Sequence, residues 1–254
     1  MSAAPLADPE LIRLPRRSGR RVAHIHLVAA ALAAHFYSGF GHVRNSIVVR
    51  LLTVIPGIVL AGGKSSRMGR PKALLPIGSS GETFFDRVTR TLIEGGVQDV
   101  VVVVGADADV IRAAVAPVSL HVRLVTNPDF ERGQLTSLLA GLRTVDRPGV
   151  SAALVTLIDS PLISADDVRR LIEARQEHRA PIVRPARDGR HGHPVIFGRE
   201  LFDELRRADP AQGAKSVVHA HAGQIVEIRP HGEGAFIDID TPEDYERWIG
   251  PLTP

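Results

Sequence analysis

The stretch GIVLAGGKSSRMGRPKALLP, residues 57–76, decides how this chain is read. Its apolar start has the look of a strand buried on both faces, and it stops at Ala61, Gly62 and Gly63. Residues that small let backbone approach a base or a phosphate closely. Lys64, Arg67, Arg70 and Lys72 follow, four cations within nine residues. A nucleoside triphosphate carries about four negative charges at neutral pH, and Arg and Lys are the side chains suited to bind them. Gly63-Lys64-Ser65 spells the core of a P-loop, but the pattern G-x-x-x-x-G-K-[ST] needs glycine at position 58, which is Ile58; Gly57 misses by one. The dinucleotide pattern G-x-G-x-x-G fails as well, because Gly62 and Gly63 are adjacent. A solvated basic loop would account for the charges but not for a glycine pair at a strand end.

The rest of the chain frames this loop. At 254 residues, 44% hydrophobic and 23% charged, it is long enough for one large α/β domain. It has no cysteine, which excludes disulfides, a thiol nucleophile and thiolate metal sites, and fits a reducing, cytoplasmic setting. Seven Arg against Asp8 and Glu10 give residues 1–50 a net charge of +5; the whole chain is +3, so residues 51–254 carry 3 − 5 = −2. A nucleic-acid-binding module is therefore disfavoured. Lysine occurs only at positions 64, 72 and 215, two of them in the opening stretch.

Residues 1–51 read as an extension, poorly ordered or preceding a mis-assigned start, with the domain over 52–254. The apolar run 27–34 follows basic residues, yet eight residues with His24 and His26 ahead and no cleavage site make a poor signal peptide. It is also too short for a membrane span, which needs about 20 apolar residues.

From residue 54 onward, apolar runs alternate with helix-period segments, the pattern of a parallel sheet covered by helices. Strands are predicted at 55–61, 99–105, 121–127 and 152–158, as two strands around a glycine turn within 180–198, and at AFIDID, 235–240. Helices are predicted over 82–96, 107–116, 134–145, 165–178 and 241–248. Ser164 with Asp167, and Thr241 with Asp244, have the spacing of capping boxes. The expected architecture is a single three-layer α/β/α domain, Rossmann-like, with a mostly parallel sheet.

LAGGKSSRMGRPKALLP resembles the opening motif of the MobA-like nucleotidyltransferases. The likeness continues in order through NPDFERGQLTSLLAGL (127–142), IDSPLI (158–163), GHPVIF (192–197) and DIDTPEDY (238–245), covering about residues 57–249. The resemblance implies transfer of NMP from an NTP to a phosphorylated acceptor, with release of pyrophosphate. It implies that Leu60, Ala61, Gly62 and Gly63 line the nucleotide and that Arg67 and Lys72 hold its phosphates. Asn127 and Ser137 would complete the nucleotide site, and Asp159 and Asp240 would bind Mg²⁺. Gly192 and His193 would meet the acceptor. Ser160 departs from the family, which commonly has Gln there.

The chemistry suits these residue types. An acceptor phosphate is already anionic, so the task is in-line positioning and charge neutralisation rather than nucleophile activation. Mg²⁺ takes one or two carboxylates with phosphate oxygens and water, and Asp159 and Asp240 each follow an apolar run. As alternatives, Asp159 is a turn residue, Asp240 a cap neighbour, Ser137 part of a helix entry and His193 part of a β-turn. The pairs His24/His26, His191/His193 and His219/His221 lack an evident third ligand for zinc.

Within the family, LAGG resembles guanylyl-transferring members, whereas PKALLP and GHPVIF resemble the molybdenum cofactor cytidylyltransferases. The longer matches favour CTP with molybdopterin as acceptor, and imply transient contact with molybdoenzymes or their maturation factors. The runner-up is a guanylyltransferase using GTP, or a relative with another phosphorylated acceptor. From a different class, a non-catalytic nucleotide-binding regulatory protein remains.

Overall fold

Five consecutive valines form one strand inside the main sheet, and each is fully buried. Only a strand covered on both faces accepts such a run, because a half-exposed one alternates. The computed structural model describes residues 54–115 and 122–251, so the expected extension over 1–51 lies outside the described residues.

Ten strands are described: β1 (Gly57–Ala61), β2 (Pro76–Ile77), β3 (Glu82–Thr83), β4 (Val100–Val104), β5 (Val122–Thr126), β6 (Ala152–Leu157), β7 (Ile182–Arg187), β8 (Arg190–His191), β9 (Val195–Gly198) and β10 (Ile225–Ile228). The main sheet runs β10-β7-β9-β6-β1-β4-β5, with β8 paired to β7, while β2 and β3 form a separate ribbon. β9 is antiparallel to both its neighbours, and every other pair along the main order is parallel. The architecture is thus the expected α/β sheet flanked by helices, mostly parallel.

Seven α-helices accompany it: α1 (Phe84–Glu94), α2 (Ala108–Ala114), α3 (Gln134–Val145), α4 (Ala165–His178), α5 (Phe202–Arg207), α6 (Lys215–Ala220) and α7 (Pro242–Trp248). Val59, Val100, Val102 and Leu154 point to one face and pack with α1, α2 and α4. Ile58, Val101, Val103 and Ala153 point to the other and pack with α3, α5 and α6. Among the described residues, no helix is long and apolar enough to cross a membrane.

Helix entries follow local chemistry. Thr83 and Asp86 form a full capping box on α1, and Thr241 and Asp244 one on α7, with Pro242 in its first turn. Three expectations need correction. Ser164 caps α4, but Asp167 takes the Ser164 hydroxyl on one oxygen and the His231 backbone N–H on the other, so the reciprocal half of the box is not made. Residues 180–198 hold three strands, because Asp188 and Gly189, with φ of 53° and 76°, fold a tight hairpin from β7 into the short β8 before β9 begins. AFIDID is not a strand. Ala235, Ile237 and Ile239 are buried in alternation, but among the described residues no strand lies alongside to supply a ladder, and Ile239 N–H bonds singly to the Asp159 carbonyl. Alternation reports one-sided burial, and a strand needs a hydrogen-bonding neighbour as well.

Glu82 couples the stability of this domain to acid through its arginine partners. Hydrogen bonds from Arg87, with Arg90 beside it, outweigh burial and hold its carboxyl at about 2. The sign follows from the depressed value: this stabilisation is complete above the ordinary value of 4.5 and is lost as pH falls through about 2. Because both arginines are partly solvated, Glu82→Gln should cost about 1 kcal/mol at pH 7. In urea unfolding the gap to wild type should close between pH 4.5 and 2; a gap independent of pH would remove Glu82 from this role.

Candidate active site

β1 ends at Ala61, and the chain then turns along the carboxyl edge of the sheet, where open α/β sheets bind their ligands. A cleft of about 550 Å³ opens there. Leu60, Ala61, Gly62 and Gly63 line it together with Arg67, Lys72, Ser137, Asp159 and Asp240, so nine of the residues singled out in the sequence converge on one cavity.

The basic loop is ordered by Ser65, which sequence reasoning passed over. Ser65 takes φ of 49°, its carbonyl accepts from the N–H groups of Met68 and Gly69, and its hydroxyl accepts from Lys72 N–H at 3.1 Å. Met68 and Leu75 are buried with Phe84, Ile237, Ile239 and Tyr245, a small core that ties the loop to the chain before α7. The same core places Asp240, because burying Ile237 and Ile239 turns Asp238 and Asp240 the other way.

Lys72 Nζ lies 2.8 Å from Asp159 Oδ2 and 2.5 Å from Asp240 Oδ1. Arg67 approaches Asp240 Oδ2 at 3.3 Å, and Lys64 bridges to Glu131 at 2.6 Å. Burial alone would lower the Lys72 ammonium, but Asp159 and Asp240 together outweigh it and hold its pKa above the usual lysine value. Asp159 is pushed up by burial, and Lys72 offsets that only in part because Asp238 and Asp240 add like charge. One cation shared by two carboxylates stays charged itself while leaving the more buried Asp159 only partly compensated. Asp240, more exposed, is held below the ordinary range by its hydrogen bond from Lys72.

The carboxylate pair suits a hard cation. It already spans an ammonium, and Asp159 Oδ1 is buried with no hydrogen-bond partner. Among the described residues no three His, Cys, Asp or Glu side chains cluster as metal ligands. Two carboxylates completed by phosphate oxygens and water are the set that magnesium accepts.

Asn127, Gly192 and His193 do not line the cleft. Asn127 is 1% exposed and bonds to Thr136, Ser137 and Asp129. Gly192 packs so closely that a Cβ would lie 1.9 Å from the Ala235 carbonyl oxygen, and His193 N–H donates to that same oxygen at 2.8 Å. Burial lowers the His193 imidazole, partly offset by Asp238 and Asp159, and its Nδ1 is buried without a partner. It sits behind the carboxylates. Ser160, the family departure, donates to Asp238 Oδ1 at 2.7 Å and so braces the segment that carries Asp240.

The far end of the cleft holds Asp107, Ile111 and Phe130; the first two carried no motif, and Phe130 falls within NPDFERGQLTSLLAGL without having been singled out. Gly105 makes that end possible, since a Cβ there would lie 2.4 Å from the Gly62 carbonyl oxygen and 2.7 Å from Phe130 Cβ. Gly105→Ala should destabilise the domain by about 1–3 kcal/mol through overpacking. Thermal unfolding tests this, and an unchanged midpoint would mean that the turn yields freely.

A glycine turn, clustered cations and paired carboxylates at the carboxyl edge of a mostly parallel sheet define a nucleotide-phosphate-binding α/β protein. The family model for the MobA-like NTP transferase domain matches residues 57–225, and the chain belongs to that family. Nicotine blue oxidoreductase of Paenarthrobacter nicotinovorans is 34% identical over 207 residues, covering 78% of this chain and 98% of the relative. A molybdenum cofactor guanylyltransferase of Rhizobium meliloti is 31% identical over 210 residues, covering 78% and 93%. Among solved structures, Rv0371c of Mycobacterium tuberculosis H37Rv in complex with manganese is similar at a TM-score of 0.63 and 27% identity, covering 78% of this chain and 98% of that one.

Proposed function

We propose that the protein transfers a nucleoside monophosphate from an NTP, with CTP the first choice, to a phosphorylated acceptor of the molybdopterin class. The observation that carries this reading is Lys72 held between Asp159 and Asp240 at the mouth of the glycine turn. In the reaction an acceptor phosphate oxygen bonds to the α-phosphorus, the bond from that phosphorus to the bridging oxygen of the β-phosphate breaks, and pyrophosphate leaves with the electron pair. No proton need be removed from the attacking oxygen. Arg67, 65% exposed in its side chain, and Lys72 neutralise the phosphate oxygens as charge shifts to the leaving group. Asp159 and Asp240 would hold Mg²⁺, which supplies Lewis-acid neutralisation of the same charge. The manganese bound by the Mycobacterium tuberculosis relative supports a divalent site on this fold. His193, behind Asp159, would support the acceptor side.

GTP is the second reading, favoured by one contact. A Cβ at position 62 would lie 2.7 Å from Ser137 Oγ, so the alanine of cytidylyl-transferring members would require Ser137 to shift here. Pyrophosphate release with molybdopterin, Mg²⁺ and each of CTP, GTP, UTP and ATP decides between them. Inactivity with all four would overturn the transferase reading. Redox turnover in a parallel assay would instead favour the activity for which the Paenarthrobacter relative is named.

A further inference from the structure

Lys72 reaches into the cleft from a pinned backbone. Its N–H donates to Ser65 Oγ at 3.1 Å, and it opens a single 3₁₀ turn, Lys72–Leu74, whose Ala73 is buried. The flexible four-carbon stem nevertheless lets the ammonium swing between partners without moving that backbone. A compact ammonium with three N–H bonds can serve two carboxylates at once. Here it does so, donating to both Asp159 and Asp240.

Every oxygen of that carboxylate pair is accounted for. Asp159 Oδ2 and Asp240 Oδ1 accept from Lys72 at 2.8 and 2.5 Å. Asp240 Oδ2 faces Arg67 at 3.3 Å. Asp159 Oδ1 has no hydrogen-bond partner, but it is buried. A cation arriving in the cleft thus meets no oxygen of the pair that is both open and unclaimed. Hard divalent ions take such oxygens directly, at about 2.1 Å for Mg²⁺, so an ion and Lys72 Nζ compete for the same atoms. The remaining cleft repeats the pattern. Lys64 bridges to Glu131 at 2.6 Å, and the three lining cations face four lining carboxylates.

We propose that Lys72 serves as the cation of the carboxylate pair until an NTP arrives, so that a divalent ion binds with the nucleotide and not before it. A triphosphate, with about four negative charges, offers Lys72 and Arg67 stronger acceptors than the carboxylates do. As the ammonium swings onto the phosphates, Asp159 and Asp240 become available together. Each ligand then raises the affinity for the other by the same factor, because such coupling is reciprocal. This control of metal entry deepens the nucleotidyltransferase reading and rests on it.

Titration with Mn²⁺ alone tests this without turnover. Followed by the paramagnetic resonance of the unbound ion, Lys72→Met should bind Mn²⁺ about tenfold more tightly than the wild-type full chain, since a charged hydrogen-bonding partner no longer competes. Lys72→Arg keeps a cation beside the pair and should stay near wild type. Adding Asp240→Asn to Lys72→Met should erase the gain, which assigns the ion to this pair. Wild type binding Mn²⁺ as tightly as Lys72→Met, or a gain that survives Asp240→Asn, would overturn the inference. Should Lys72→Met fold poorly, Lys72→Gln keeps a polar side chain without the charge, and the same gain is expected. With CTP, GTP, UTP or ATP present and no acceptor, wild type should show the enhanced water-proton relaxation that marks protein-bound Mn²⁺. Its absence with all four would sink the inference. Enhancement without pyrophosphate release in the acceptor assay would count against the transferase reading alone.

Discussion

Asp159→Ala should lower kcat for pyrophosphate release by about 10³-fold, the scale at which removal of one preorganised electrostatic group is felt. Asp159 closes β6, with one carboxylate oxygen on Lys72 and the other buried and unpartnered. Removing it takes away one of the two carboxylates proposed to hold the cation and leaves Lys72 with Asp240 alone. The backbone should stay in place, because the Asp159 carbonyl accepts from Ile239 N–H at 2.7 Å, a bond that no side-chain substitution touches. Stability should move the other way from activity. A carboxyl whose value is raised by burial favours the fold below its unfolded value and loses that contribution as pH rises through the folded one. Asp159→Asn at pH 7 should therefore unfold at the same temperature as wild type or higher, the usual trade between stability and a charged site. Normal turnover in Asp159→Ala would remove the residue from the reaction.

Lys72→Met should reduce kcat/KM for the nucleotide by about 10³-fold and also destabilise the domain by about 3 kcal/mol near neutral pH. The side chain is 12% exposed and lies between Asp159 and Asp240, so its loss leaves one buried and one half-exposed carboxylate repelling each other. The pH dependence has a defined sign. Burial opposes the Lys72 charge, but the two carboxylates outweigh it and raise its pKa, so the stabilisation is complete below 10.5 and is lost as pH rises through the higher folded value. Urea unfolding of wild type and variant should converge only on the alkaline side of 10.5. A variant as stable as wild type at pH 8 would show that water replaces the ammonium at little cost.

Much of this site was open to reading along the chain because its parts are local. The end of β1, the small residues behind it and the cations up to Lys72 lie within twenty residues, and their backbone requirements are written in residue size and charge. Helices α1 and α7 were equally plain, since a capping box is a contact over three residues. What stayed hidden depends on neighbours that are remote in sequence. AFIDID alternates as a strand would, yet whether a partner strand lies beside it is decided by the chain path. Asn127 resembled a ligand contact, yet it bonds inward, because the turn after β5 and the first turn of α3 close around it. Ser65 and Ser160 carry no distinctive spacing, and their roles appear only through bonds to Lys72 and Asp238.

The sequence by itself determined the sheet class, the glycine turn, and which cations and carboxylates were available. These follow from periodicity, side-chain volume and charge, which are properties of neighbours in the chain. Only the tertiary structure decided that Lys72 lies between Asp159 and Asp240, residues 87 and 168 positions away. It also decided that Asn127 spends its amide on Thr136 and Ser137. Hydrogen-bond direction and ion pairing act over about 3 Å, and that proximity is created by packing the sheet, not by spacing in the sequence.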